Sequence, residues 1–177
     1  MLHYGFIKQK LRDLETCPPM DVSRHCLSIM ESYLMLERAE QQEIAETIHK
    51  WAEQYAGQKP LLNCYTKLFR AFSLFYHENY DEAFPLLTEA QNLFTQQNDL
   101  NGAAVCIELQ AGIYRTFGNF DLSLKLLWTA HEQLLKAKGF ELFLMASYNG
   151  MGSIYAEMKH YDEAIPLFKS TLEIAEP

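Results

Sequence analysis

Apolar side chains recur at intervals of three and four residues along almost the whole chain, a spacing that gathers them on one face of an α-helix. Leu2, Phe6, Leu11 and Leu14 mark the first stripe and predict a helix over 2–15, ended by Cys17-Pro18-Pro19. Val22, Cys26, Ile29, Met30, Tyr33, Leu34 and Leu36-Glu37 form one further amphipathic stretch, and Ile44, Ile48, Trp51 and Tyr55 another. Residues 22–57 therefore read as a helix pair.

Beyond Lys59 the pattern repeats at offsets of 40 and 41 residues, giving units over 60–97, 100–138 and 141–177. A small residue stands at Ala71, Ala111 and Gly152, and Leu74, Tyr114 and Tyr155 follow three positions later. After a turn come an aromatic (Tyr80, Phe120, Tyr161), a small residue (Ala83, Ser123, Ala164), a large one (Leu87, Leu127, Phe168) and another small one (Ala90, Ala130, Thr171). Small against large is how two helices of a hairpin approach closely, one receiving the knob of the other. A hairpin cannot bury its apolar face alone, so stacking into a continuous core is expected. Asn79 and Asn119 are placed as N-caps, Asn79 with Glu82 as a capping-box variant, and acidic residues follow in the first turn. Pro85 and Pro166 fall at one repeat position inside the second helix and predict a shared local kink there.

At 177 residues the chain has room for about four stacked units and reads as a single domain over 1–177. Its composition, 49% hydrophobic with eight Gly and six Pro, is too apolar for disorder and too poor in turn residues for an all-β domain. A formal charge of −8 argues against nucleic acid and against an anionic membrane surface as partners. There is no apolar run of membrane-spanning length, and Lys8, Lys10, Arg12 and Asp13 stand where a signal peptide needs its apolar segment, so a cytoplasmic location is expected. Cys17, Cys26, Cys64 and Cys106 form no CxxC pair and read as reduced thiols, and Cys17, His25 and Cys26 match no zinc spacing. The six His are dispersed, with His77 and His160 at or beside turns. No nucleophile, phosphate-loop or metal-protease motif is present. A non-enzymatic protein without cofactor or metal is the expectation.

Tyr148-x2-Met151-Gly152-x2-Tyr155 followed by Ala164-x3-Phe168 resembles the tetratricopeptide repeat signature. The resemblance extends over about residues 60–177, with Ser123 and Leu127 departing in the middle unit and Leu74 in the earlier one. Units of 40–41 residues exceed the family's usual length of about 34 by roughly one turn per helix and resemble those of bacterial signalling and regulatory proteins. The resemblance implies an all-α fold, a right-handed α-solenoid of antiparallel helix pairs with about nine helices. It also implies a protein or peptide as partner, bound in a concave groove lined by the first helix of each unit. Carried over by position, the lining is Tyr65, Leu68, Phe72, Phe75 and Tyr76, then Glu108 and Arg115 beside Val105, Gly112 and Thr116, then Asn149, Ser153 and Glu157 beside Ala146 and Ala156.

In that groove Phe72 marks an apolar anchor, Asn149 would bond a peptide main chain, Arg115 would take a carboxylate, and Gly112, Gly150 and Ser153 leave room for a backbone. The same spacing equally describes core packing, and for Tyr65, Leu68 and Phe72 packing weighs more. Where some members clamp a chaperone's terminal carboxylate, this chain carries Leu68, Phe72, Gly112 and Asn149 with no Lys, which argues against that ligand. The absence of a polar capping helix after Leu172-Glu173-Ile174 points to a continuing chain, a partner or a second copy at that end. The alternative reading is a sensory or dimerisation region of a larger bacterial signalling protein, controlling a diguanylate cyclase, phosphatase, kinase or transcription-regulator output domain.

Overall fold

The computed structural model describes residues 2–33, 36–136 and 141–175. Among them every regular element is helical: α1 (Leu2–Thr16), a 3₁₀ turn (Pro19–Asp21), α2 (Val22–Tyr33), α3 (Arg38–Gln54), α4 (Leu61–Tyr76), α5 (Tyr80–Gln96), α6 (Leu100–Thr116), α7 (Phe120–Leu134), α8 (Glu141–Glu157) and α9 (Tyr161–Ala175). The protein is an all-α helical repeat. No helix among the described residues is long and apolar enough to cross a membrane. The chain forms two compact units, Met1–Gly102 and Ala103–Pro177.

Three hairpin turns end their first helices in the same way. Glu78, Gly118 and Lys159, at equivalent repeat positions, all adopt positive φ (59°, 75° and 63°). The next N–H then reaches back to a carbonyl of the last turn: Asn79 to Leu74 at 2.9 Å, Asn119 to Tyr114 at 2.9 Å, His160 to Tyr155 at 2.8 Å. This is the Schellman closure, which satisfies carbonyls the helix leaves open. Asn119 caps α7 as expected, its side chain accepting from the Leu122 N–H at 3.4 Å. Asn79 does not cap α5 with its side chain; its amide donates to the Glu82 carboxylate at 2.8 Å. Pro85 and Pro166 lie inside continuous helices on exposed positions, so the carbonyls four residues back are left on the water side.

In unit 1, α1 packs against α2, α3 against α4, and α4 against α5. The core side of α1 is marked by Ile7 and Leu14, whereas Phe6 is exposed, its ring covered by the Lys10 ammonium 4.7 Å away. Of the stripe expected through Leu34 and Leu36-Glu37, Leu36 is buried in the connection before α3, and Glu37 and Glu40 form a capping box at the start of that helix; Leu34 lies outside the described residues. Lys59 is buried, and its ammonium donates to the carbonyls of Leu14 at 3.0 Å and Glu15 at 2.6 Å, closing the C-terminal end of α1.

In unit 2, α8 packs on both α7 and α9, and a core gathers Ala111, Leu127, Met151, Ile154 and Leu167. The small-against-large frame is explicit at Gly152, where an added Cβ would come within 2.9 Å of the Phe168 ring. Ser123, standing where the other units have Ala, is fully buried and donates its hydroxyl to the Ala111 carbonyl at 2.7 Å. The polar atom is thereby satisfied inside the hairpin. The expected ends of the last two units at 138 and 177 lie outside the described residues.

Candidate functional site

The groove positions of α4 are largely core. Tyr65 and Leu68 are fully buried and Phe72 nearly so, while Phe75 is half-buried and Tyr76 exposed. Tyr65 stacks edge-on against Phe94 at 4.8 Å, and its hydroxyl lies 2.7 Å from Ser23 Oγ and 3.3 Å from an Asp99 carboxylate oxygen. Phe72 packs edge-on against Tyr33 at 6.1 Å and Tyr76 at 4.8 Å. An apolar anchor at Phe72 is thus already filled by the protein's own aromatics.

In unit 2 the first helices α6 and α8 are joined by two polar contacts, one buried and one at the surface. At one end the Ser147 hydroxyl donates to a Glu108 carboxyl oxygen at 2.7 Å; at the other the Arg115 guanidinium meets Glu157 at 3.3 Å. Burial pushes the Glu108 carboxyl up to about 8, partly opposed by the bond from Ser147, so near neutral pH this buried group is mostly the uncharged acid. Arg115 is not an open cation, since Glu157 neutralises it across the helix pair. Asn149 is exposed and Ser153 half-buried on the same stripe of α8 as Glu157. Gly150 offers no room here, because a Cβ on it would face Leu127 of α7 at 3.3 Å.

Sequence reasoning missed two features. His131 is buried between Trp128 and Tyr148, with ring centroids 5.6 and 4.4 Å away, and its Nδ1 has no hydrogen-bond partner. The second is a pocket of about 590 Å³ in unit 1, formed by α3, α4, Tyr33 of α2 and Leu86 of α5. Its α4 wall is the row Asn63, Thr66, Lys67, Arg70 and Ser73. At 100° per residue this row lies about 150° around the helix from the Tyr65, Leu68 and Phe72 stripe. The period of three and four in these polar residues was visible in the sequence, but nothing local says that α3 leaves space beside them.

All four cysteines are free and buried, and burial raises the Cys26 thiol well above its ordinary range and the Cys64 thiol to about 11. Among the described residues no group of three or more His, Cys, Asp or Glu is placed to hold a metal ion.

Residues 104–176 match the family model of the tetratricopeptide repeat. The matched stretch begins in α6, later than the resemblance read from residue 60. No curated protein and no solved structure matches the chain.

Proposed function

From the tetratricopeptide repeats of residues 104–176, elements that serve protein–protein interaction, we propose that the chain binds a peptide or helix of another protein on the α6–α8 face of unit 2. The observation that supports this reading most is the cross-linked pair of first helices, held by Ser147–Glu108 and Arg115–Glu157, with the exposed Asn149 on the open stripe of α8. Asn149 offers a donor and an acceptor to a main chain, the two groups an extended peptide presents in return. A ligand carboxylate has to compete with Glu157 for Arg115, which favours a neutral or basic segment at that end. Unit 1 contributes stability through its filled aromatic core in this reading, and Phe75 and Tyr76 are its only aromatic groove positions left partly open.

The test is selection of a random peptide library on the purified chain, followed by affinity measurement of the selected peptides against Asn149→Ala and Ser153→Arg. Expected is a loss of about tenfold in each variant with unchanged melting temperature, the scale of one or two hydrogen bonds at an exposed site. Peptides that bind both variants as tightly as the parent protein would remove the α6–α8 face from consideration.

A further inference from the structure

The unit 1 pocket contains polar groups of two kinds. Most are already engaged: the Gln42 amide donates to Glu46 at 2.9 Å, the Lys67 ammonium meets Glu89 at 2.8 Å, and the Thr66 hydroxyl donates to the Leu62 carbonyl at 3.0 Å. Ser73 interacts with the hydroxyl of the buried Tyr33, which itself donates to the Gln41 carbonyl at 3.1 Å. His49 lies 3.6 Å from Glu53. Two side chains of the α4 wall are different. Neither the Arg70 guanidinium nor the Asn63 side-chain amide has a hydrogen-bond or ion-pair partner among the described residues, and both are exposed at the pocket.

Their spacing is informative. Seven helical residues separate them by about 10.5 Å along the axis. An extended peptide covers about the same distance in three residues, at roughly 3.3–3.6 Å each. The apolar part of the pocket lining is Ala45, Leu74 and Leu86. The charges on its rim are uneven: Arg70 is open, while Lys67 is neutralised by Glu89, and Glu46 stands on the α3 side.

We propose that this pocket is a second binding site, taking an extended peptide segment that carries one acidic side chain. The carboxylate forks onto Arg70, the geometry for which a guanidinium is suited. A backbone amide three residues away pairs with Asn63, and an apolar side chain between them rests on Ala45, Leu74 and Leu86. A second acidic residue is disfavoured by Glu46 and Glu89, so the site selects a single carboxylate. It shares no residue with the α6–α8 face and stands or falls independently of it.

The experiment uses the full chain and an end-blocked fluorescent peptide library of the form Gly-X-X-X-Asp-Gly, with X drawn from Ala, Leu and Phe, read by anisotropy. Members carrying Asp are expected to bind, and the same peptides with Asn to bind about tenfold more weakly, the scale of a hydrogen bond to a charged group. Arg70→Gln should reproduce that loss, Arg70→Lys should retain part of the binding through charge without the fork, and Asn63→Ala should cost about threefold. Asn149→Ala should change nothing, which separates this site from the face in unit 2. An arm of peptides with Asn in place of Asp and a free C-terminal carboxylate distinguishes the source of the anion: preferential binding there overturns the side-chain assignment. Absence of binding by every Asp member, or binding that survives Arg70→Gln, overturns the proposal.

Discussion

The first helix of the earlier unit, α4, and that of the last unit, α8, occupy the same frame 81 residues apart, yet they bury opposite sides. Tyr65, Leu68 and Phe72 of α4 correspond to Ala146, Asn149 and Ser153 of α8; the first set is core, the second exposed or half-buried. On the other side Arg70 and Ser73 of α4 correspond to Met151 and Ile154 of α8, and here α8 is fully buried while α4 lines a pocket. A repeat frame therefore specifies where helices begin, turn and touch, through residues such as Ala71 and Gly152. It leaves open which flank of a helix the neighbours cover. That is decided by where the large side chains stand, because burying apolar area contributes about 25 cal/mol per Å² and an aromatic carries the largest share.

The comparison can be broken by exchanging corresponding residues. Phe72→Ser, which installs the α8 residue in α4, should destabilise the protein by about 3–5 kcal/mol, the cost of emptying a buried aromatic site, seen as a lowered urea midpoint. Lys59→Met should cost unit 1 about 2–3 kcal/mol in the same assay, because the carbonyls of Leu14 and Glu15 lose a charged donor and α1 loosens. Hydrogen exchange should then quicken first in α1.

Unit 2 differs in holding a buried acid, and that difference sets a pH dependence. The Glu108 carboxyl titrates at about 8 in the folded chain against an ordinary 4.5, so between those values the folded state holds the extra proton. Stability consequently falls as pH rises through this window and levels off above it. His131, lowered by burial from 6.5, acts in the opposite sense, withdrawing stability as pH drops below that value, so the Glu108 slope is best read between pH 7 and 8. Glu108→Gln keeps a hydrogen-bonding partner for Ser147 and should flatten the slope, leaving the variant more stable than the parent at pH 9. A slope that persists in the variant would place its origin elsewhere.

Two smaller changes sharpen the contrast. Lys159→Gly should stabilise by about 0.5–1 kcal/mol, since a non-glycine residue is held there at positive φ, a conformation Gly118 accepts freely at the equivalent turn. Ser153→Phe, the reverse of the α4 exchange at a half-buried position, should alter stability by less than about 1 kcal/mol while obstructing the proposed peptide face. The asymmetry between Phe72→Ser and Ser153→Phe is the sharpest statement of the difference between α4 and α8.

Helices α1 to α9 were legible because apolar spacing, prolines and turn residues act locally, and the three equivalent Schellman turns follow from chain geometry that neighbours do not alter. The placement of Leu36 was less so. A buried Leu36 in a connection carries the same apolar signature as a helical one. Of the groove positions, the paired state of Arg115 and the neutral state of Glu108 were hidden, since each depends on a partner about 40 residues away: Glu157 and Ser147.

By itself the sequence determined the all-α class, the repeated helices, the positions of the hairpin turns and the close approach of Gly152 to Phe168, all of which rest on residues near one another along the chain. The tertiary structure alone decided that the aromatic stripe of α4 is core, that Lys59 closes α1 from 44 residues away, and that a polar row beside α3 is left open as a pocket. Burial, and with it the charge state of a carboxyl or the freedom of a guanidinium, depends on which distant surfaces meet, and no periodicity within one helix records that.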